Sequence, residues 1–155
     1  MPIADFVTFI EITWSPHAMN DEDLKIRTKQ FALRILKLAA ALPNTIEGRA
    51  IRNQLVRAGT SVAANYRAAC RGRSKAEFIA KIGVVEEESD ESAFWLELII
   101  DAALLRENCV RPLLHEATEL TRIMARSRIS ASARVRQNRQ LEMNKHRQSA
   151  IGNRQ

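Results

Sequence analysis

The segment TIEGRAIRNQLVRAGTSVAANYRAACRGRSKAEF, residues 45–78, decides the fold, because it contains one amphipathic helix and the start of another. Its apolar residues recur every three or four positions, which is the pattern of a helix with one buried face. The members of that face are Ile51, Leu55, Ala58, Val62, Tyr66 and Ala69. Gly72 predicts the end of this helix, and Ser74 with Glu77 predicts a capping box that opens the next one.

The same periodicity continues on both sides of this segment. Asn20 and Asp21 can cap a first helix that stops before Pro43. The third helix is predicted to run to about Asn108, and Pro112 suits the first turn of a short fourth helix. The predicted core positions are Leu24, Phe31, Ile35, Leu38 and Leu42 in the first helix, Phe78, Ile82, Val85, Ser89, Ala93, Leu96, Ile100 and Ala103 in the third, and Leu113, Ala117, Leu120 and Met124 in the fourth. The sequence therefore predicts an all-α four-helix bundle.

Two terminal segments fall outside this pattern, which divides the chain into 1–18, 19–128 and 129–155. Residues 1–18 form a short apolar piece that could add a strand or an anchor; we expect an extension ahead of a natural initiator at Met19. Beyond residue 128 the periodicity gives way to Ser, Arg, Asn and Gln, which predicts a basic, disordered tail.

Composition indicates a single globular domain, with 46% hydrophobic and 27% charged residues in 155. No apolar run approaches the roughly 18 residues that a membrane span needs. No Lys or Arg precedes Lys25, so the basic start of a secretory signal is lacking. Cys70 and Cys109 have no metal-ligand spacing, so we expect two reduced thiols in a cytoplasmic protein without a membrane role.

The net charge of +6 is unevenly distributed. Residues 126–155 carry eight bases and one acid, so the tail supplies most of the charge. Within the bundle, residues 49–81 hold eight bases and one acid, and residues 86–107 hold eight acids and one base. This pattern indicates either two neighbouring helices that pair or two faces that meet different partners.

The first and third helices are apolar on two sides, and a helix of that kind is buried on two sides. One side suits the bundle core, and the other suits a subunit interface, so we expect a homo-oligomer. The alternative is a core helix wrapped by the N-terminal segment. The interface candidates are Ile26, Leu33, Phe94, Trp95, Leu98 and Leu105.

A basic stripe on the second helix is the clearest candidate for binding. Evenly spaced cations on a rigid surface suit a phosphate backbone, with salt-dependent affinity and little sequence preference. The alternatives are a solvated helix face, or cations paired with the acidic third helix of a neighbouring subunit. No aromatic residues alternate with the arginines, so base stacking is not indicated. The candidates are Arg49, Arg57, Arg67, Arg71, Arg73 and Lys75.

A small polar cluster within the second and third helices is predicted to serve packing. Gly59 favours close helix contact, and Asn65 is expected to bond a carboxylate or backbone group across the core. Glu87 and Glu91 are expected to pair with arginines across the oligomer interface. The cluster comprises Gly59, Thr60, Ser61, Asn65, Glu87 and Glu91.

Catalytic and metal-binding patterns are not found in the sequence. A carboxylate-bridged metal site in a bundle needs Glu-x-x-His elements, and no histidine follows a glutamate by three residues. His115, Glu116 and Glu119 are interpreted as solvated helix surface. No phosphate-binding or dinucleotide-binding glycine motif is present. We therefore expect no enzyme activity, no metal and no cofactor.

Five motifs together carry a family resemblance: FALRILKL at 31–38, LP at 42–43, QLVRAGTSVAANYRAA at 54–69, RSKAEFI at 73–79 and WLEL at 95–98. In these motifs the chain resembles the small bacterial four-helix bundle proteins known as 23S rRNA intervening-sequence proteins, from residue 20 to about 126. The resemblance implies an antiparallel up-down bundle that can assemble as a ring-shaped homopentamer. Some members are encoded inside intervening sequences of large-subunit ribosomal RNA genes.

A relative of that family, the accessory variability determinant of diversity-generating retroelements, binds nucleic acid and a reverse transcriptase. The resemblance therefore implies RNA or DNA, and a reverse transcriptase, as partners to consider. Residues and resemblance together predict a non-enzymatic oligomeric accessory protein that binds nucleic acid through the second helix. The alternative is a protein–protein assembly scaffold in which the same arginines meet only carboxylates.

Overall fold

Four helices make up the structure, a computed structural model that describes residues 20–152 and side chains through residue 148. They are α1 (Asp21–Ala41), α2 (Ile46–Ala69), α3 (Lys75–Asp101) and α4 (Glu107–Gly152). Each helix packs against the next along the chain, and α1 also meets α4. No strand occurs among the described residues, so the prediction of an all-α chain with four helices is confirmed. The expectations for residues 1–18 and Met19 lie outside the described residues.

Side-chain caps determine where the helices begin. The Asn20 side chain accepts hydrogen bonds from the amides of Glu22 and Asp23, and the Asp23 carboxylate accepts one from the Asn20 amide, which completes a capping box. At α3, the Ser74 hydroxyl accepts from the amide of Glu77 at 3.1 Å, as predicted. The Glu77 carboxylate, however, accepts from the amide of the residue before Ser74. The capping box predicted there is therefore only half formed.

The buried face of each helix contributes to one shared hydrophobic core. In α1, α2 and α4 it matches the predicted face, with Ile51 only partly buried. In α3 the prediction is shifted near the end: Ile99 is fully buried, Ile100 is half-buried and Ala103 is exposed. The residues of this core that are buried most completely are Phe31, Ile35, Leu38, Leu55, Val62, Ile82, Val85, Leu96, Ile99, Val110, Leu120 and Met124.

The end of α3 lies seven residues earlier than predicted, because the chain reverses at Ala103. Ala103 has a φ of 51°, a left-handed conformation that costs a residue with a side chain about 1 kcal/mol. Its amide donates to Ile100 O at 2.9 Å, and the Leu104 amide donates to Ile99 O at 3.0 Å, which is the Schellman pattern of helix ends. The chain is thereby free to start α4 at Glu107, so that Pro112 lies inside α4 rather than in its first turn.

The second half of α4 corrects the expectation of a disordered tail. The helix does not stop near residue 128 but continues through Gly152. Met124 is its last fully buried side chain. The predicted loss of apolar periodicity is therefore real, but it marks the point where α4 leaves the core and not the end of the helix.

Candidate nucleic-acid interface

The six predicted cations do not form one patch, because they are spread along the full length of α2 and the turn after it. Arg49 lies at the start of α2, where its guanidinium donates to the carbonyl oxygen of Asn44 at 3.1 Å. Arg67 lies eighteen residues later, which is about 27 Å along a helix. Arg73 and Lys75 are exposed at the turn into α3. The structure therefore separates Arg49 from the other candidates.

Arg57 is held by carboxylates of α3. Its Nη2 lies 2.5 Å from Oε1 of Glu91, and its Nη1 lies 3.5 Å from Oε1 of Glu88. The hydrogen bond to Glu91 raises the pKa of Arg57. It also lowers the pKa of Glu91, with a second contribution from the Trp95 indole N–H at 3.1 Å. The predicted pairing of Glu91 across an oligomer interface is therefore corrected: its partner lies in its own chain.

Glutamates in the acidic run of α3 form ion pairs with both neighbouring helices, α2 and α4. Glu86 accepts two hydrogen bonds from Arg128 of α4, with Oε2 at 2.6 Å from Nε. Glu87 is exposed. Glu88 has one buried oxygen, Oε2, without a hydrogen-bond partner in the described part of the chain, and burial raises the pKa of this carboxyl group. Of the two readings of the polarised charge, pairing of the basic and acidic helices accounts for Glu88 and Glu91, whereas the partner of Glu86 lies outside the basic segment 49–81.

A groove between α1 and α2 brings together the remaining cations. Arg67 of α2 and Arg71, which follows the end of α2, line it with Lys25 and Lys29 of α1, around a cavity of about 700 Å³. We call it the α1–α2 groove. Its lining also includes the small residues Ala63 and Ala64 of α2 and the apolar side chain of Ile26 of α1. Sequence reasoning missed the two lysines, although their four-residue spacing places them on one face of α1.

The electrostatic character of the α1–α2 groove is positive. Glu22 is its one acidic lining residue and lies 3.1 Å from the Lys25 ammonium. The hydrogen bond to Glu22 raises the pKa of Lys25. The side chains of Lys29, Arg67 and Arg71 form no hydrogen bond or ion pair with any residue from 20 to 148. Cations of this kind are available to an anion of an external ligand.

The polar cluster of α2 serves packing within the chain. A Cβ atom at Gly59 would lie 2.7 Å from Cγ1 of Ile35, so that only glycine lets α1 and α2 approach this closely. The Thr60 hydroxyl donates to Val56 O at 2.7 Å. Asn65 Nδ2 donates to the carbonyl of Ser61, one turn earlier in α2, and not across the core as predicted. Ser61 itself is half-buried within the helix.

The predicted interface residues fall into two groups. Ile26, Leu33 and Phe94 are exposed by 46%, 49% and 50%. Trp95 is half-buried, with its ring 5.0 Å from that of Phe94 in an edge-to-face arrangement. Leu98 and Leu105 are half-buried. The exposed group includes Ile26 and Leu33 of α1, which are seven residues apart and therefore lie on nearly the same side of the helix.

A buried ion cluster between α1 and α4 was not predicted. Arg27 donates to both oxygens of Glu116, at 2.7 and 3.0 Å, and to Glu119 at 2.5 Å. Burial by itself would lower the pKa of Arg27, but the two carboxylates outweigh it and raise the pKa. The interpretation of Glu116 as solvated surface is therefore wrong, whereas the Glu119 side chain is 43% exposed and His115 is exposed. Arg27 sits beside Thr28 on the core side of α1, a placement that only the packed structure reveals.

Neither a metal-binding cluster nor a membrane-spanning helix is found among the described residues. No three His, Cys, Asp or Glu side chains between residues 20 and 148 converge to hold an ion. None of the helices from α1 to α4 combines the length and apolar character that crossing a bilayer requires. Cys70 and Cys109 are both free thiols and half-buried.

Comparison with known proteins identifies relatives of the helical core. The family model for the 23S rRNA-intervening sequence protein matches residues 21–126. A crystal structure of a protein of unknown function from the S23 ribosomal protein family, from Bacteroides thetaiotaomicron VPI-5482, is similar with a TM-score of 0.64 and 30% sequence identity. The similarity covers 68% of this chain and 97% of that one. No curated protein matches the chain.

Proposed function

The chain belongs to the 23S rRNA-intervening sequence protein family, and on that premise we propose that it is a non-enzymatic, oligomeric accessory protein that binds the phosphate backbone of RNA or DNA. The α1–α2 groove carries this proposal. It holds the side chains of Lys29, Arg67 and Arg71, which have no partners among residues 20–148, around a cavity of about 700 Å³. Each phosphate that these cations neutralise releases counterions, so affinity would depend steeply on salt and weakly on sequence.

Four of the six predicted candidates do not line the groove, namely Arg49, Arg57, Arg73 and Lys75. Arg57 is held by Glu88 and Glu91, and Arg49 lies far from the groove at the other end of α2. Lys25 and Lys29 replace them in the proposed site. The binding surface is therefore a groove shared by two helices and not a stripe on α2 alone.

We propose an antiparallel up-down order of the helices, which two contacts support. Lys25, near the start of α1, shares the groove with Arg71, which follows the end of α2. Similarly, Glu86 in the first half of α3 bonds Arg128, which lies beyond the last buried turn of α4. Short connections between helices that run in opposite directions account for both contacts.

Association of several copies is the second element of the proposal. Ile26 and Leu33 are about half exposed on α1, and Phe94 is equally exposed on α3. Side chains of this size lower the free energy when a subunit interface removes them from water. The family resemblance implies a ring-shaped pentamer, which would repeat the groove and increase affinity through avidity. Native mass spectrometry of the full chain measures the subunit number.

Salt-dependent binding tests the α1–α2 groove. We expect Arg67→Glu with Arg71→Glu to weaken binding of a fluorescently labelled RNA or DNA and to reduce the slope of log K against log salt by about 2. A matched variant, Arg106→Glu with Arg122→Glu, changes the same charge at exposed arginines outside the groove. An unchanged slope in the groove variant, or an equal loss in the matched variant, contradicts the proposal.

The alternative is an assembly scaffold, favoured by the exposed Ile26, Leu33 and Phe94 and by the pairing of Arg57 with carboxylates. It predicts that nucleic acid is not retained at physiological salt. It also predicts that Arg67→Glu dissociates the oligomer, whereas nucleic-acid binding through Arg67 leaves the subunit number unchanged. Mass measurement of this variant therefore separates the two functions.

A further inference from the structure

The second half of α4 extends away from the four-helix core. Residues 129–148, which we call the α4 arm, form a helix of about 30 Å in which every side chain is exposed or half-exposed. The arm has five lysines and arginines but only one acid, Glu142. A polar helix without packing is marginally stable by itself in water. An external partner of opposite charge would supply the missing stabilisation.

The apolar residues of the arm do not suit a second protein helix. Ile129, Leu141 and Met143 are exposed by 59%, 54% and 60%. At about 100° per residue, the first two lie about 120° apart and the last two about 160° apart around the helix. A helical partner, including a second copy of this arm, requires one apolar stripe. The arm has none.

The cations of the arm form two flanks on opposite sides of the helix. Arg134 and Lys145 are eleven residues apart, which places them within about 20° of one another. Arg136 and Arg147 have the same spacing and lie on the other side, about 160° away by the same arithmetic. Arg139 falls on the second flank. Arg134, Arg136 and Arg139 have no ion pair within the part of the chain whose side chains are described.

An edge of amide side chains lies between the two flanks. Gln137, Gln140 and Asn144 lie within about 60° of one another around the helix, and all three are exposed. Amides of this kind pair with the N6 and N7 atoms of adenine in the major groove of DNA. Cations on both sides and hydrogen-bonding groups between them match a helix seated between two rows of phosphates.

We propose that the α4 arm docks in the major groove of double-stranded DNA. That groove is about 12 Å wide and accepts an α-helix, whose two cationic flanks would meet the phosphates of both strands. The corresponding groove of an RNA duplex is too deep and narrow for side chains to read. The arm therefore selects B-form DNA, a preference that backbone contacts in the α1–α2 groove do not supply. The proposal stands independently of that groove.

Substitutions within the α4 arm test whether its cations bind DNA. The full-length variant Arg134→Gln/Arg136→Gln/Arg139→Gln keeps residues of similar helix propensity, and circular dichroism checks that the helix content is unchanged. We expect the affinity for a labelled 24-base-pair DNA duplex to fall on the order of 100-fold near 0.1 M salt, and the salt slope to fall by about 3. The matched control is Arg106→Gln/Arg111→Gln/Arg122→Gln, at three exposed arginines of the core. An equal loss in the control, or no loss in the arm variant, overturns the proposal.

The type of duplex tests whether the α4 arm docks in the major groove of DNA. We expect an RNA duplex of the same sequence to bind at least tenfold more weakly, and methylation of guanine N7, which blocks the DNA major groove, to weaken binding of DNA. Equal binding of both duplexes, or insensitivity to methylation, overturns the docking mode. The variant Arg67→Glu/Arg71→Glu separates the two sites. If it leaves DNA binding intact while the arm variant loses it, the arm is supported and the α1–α2 groove is not.

Discussion

Arg27 and Arg57 each bind two glutamates of a neighbouring helix, but they differ in their exposure to water. The Arg27 side chain is 6% exposed and its main partner Glu116 is 15% exposed, whereas the Arg57 side chain is 53% exposed. The same pairing of an arginine with glutamates therefore contributes differently to stability at the two positions. Between Arg27 and its partners little water screens the charges, and removing one partner leaves a buried charge. Around Arg57, water and salt screen the attraction.

The comparison also explains which arginines are available for ligands. Arg27 connects α1 to α4 and belongs to the core. Arg57 connects α2 to α3 on the surface. Arg67, near the end of α2, has neither role and lines the α1–α2 groove. Position relative to the acidic helices, and not residue type, separates structural arginines from candidate binding residues.

The largest effect is expected from Arg27→Ala. This substitution leaves Glu116 without its partner in a mostly buried position, so the free energy of unfolding should fall by about 3 kcal/mol. Urea unfolding followed by circular dichroism measures it. The double variant Arg27→Met/Glu116→Leu removes both charges, and we expect it to recover most of the loss. A loss below that of Arg57→Ala would break the comparison.

A smaller effect is expected from Arg57→Ala, because its pair is exposed. The effect should approach zero in 1 M NaCl, where the Debye length is about 3 Å. The effect of Arg27→Ala should persist in the same salt, since water and ions do not reach the buried pair. Unfolding of both variants and of the unmodified chain at low and high salt tests this difference. Equal salt sensitivity of the two variants would be inconsistent with it.

The smallest effect is the pH dependence of stability that comes from Glu88 and Glu91, the two partners of Arg57. The pKa of Glu91 is lowered by Arg57 and Trp95 from its usual value of 4.5. Its ionised form therefore stabilises the fold above that value, and this contribution is lost as pH falls through the lowered pKa. Glu88, whose pKa burial raises, acts in the opposite direction, because its ionised form costs stability once pH exceeds its ordinary pKa.

Unfolding of Glu91→Gln between pH 3 and pH 6 measures the Glu91 contribution. We expect the variant to be less stable than the unmodified chain at pH 6, and the difference to shrink as pH falls towards 3. Glu97→Gln, at an exposed position of α3, serves as the control and should show no such convergence. A difference that grows towards low pH would show that Glu91 is not stabilised in its ionised form.

The sequence predicts those parts of the fold that follow from periodicity and from local caps. The buried faces of α1, α2 and α4 follow from spacing alone, and Asn20 and Ser74 mark two helix starts. The end of α3 was missed because Ala103 adopts a left-handed conformation that glycine normally supplies. Nothing in the residue type of Ala103 signals that role.

The candidate site was only partly predictable, since it depends on which helices are neighbours. Arg67 and Arg71 could be identified on α2, but Lys25 and Lys29 join them only when α1 packs alongside. Spacing places Arg57 at the edge of the basic stripe, and its ion pair with Glu91 depends on the register between α2 and α3. The periodicity of a single helix does not show which residues of two packed helices lie opposite each other.

The continuity of α4 has a mechanical consequence. One uninterrupted helix has its first half packed in the core and its second half outside it. The packing of the first half therefore determines the direction of the second half. A tilt of about 10° at the seat displaces the end of a 30 Å lever by about 5 Å. Small repacking around Leu120 and Met124 is thereby amplified at the far end, where a fluorescent label would report it.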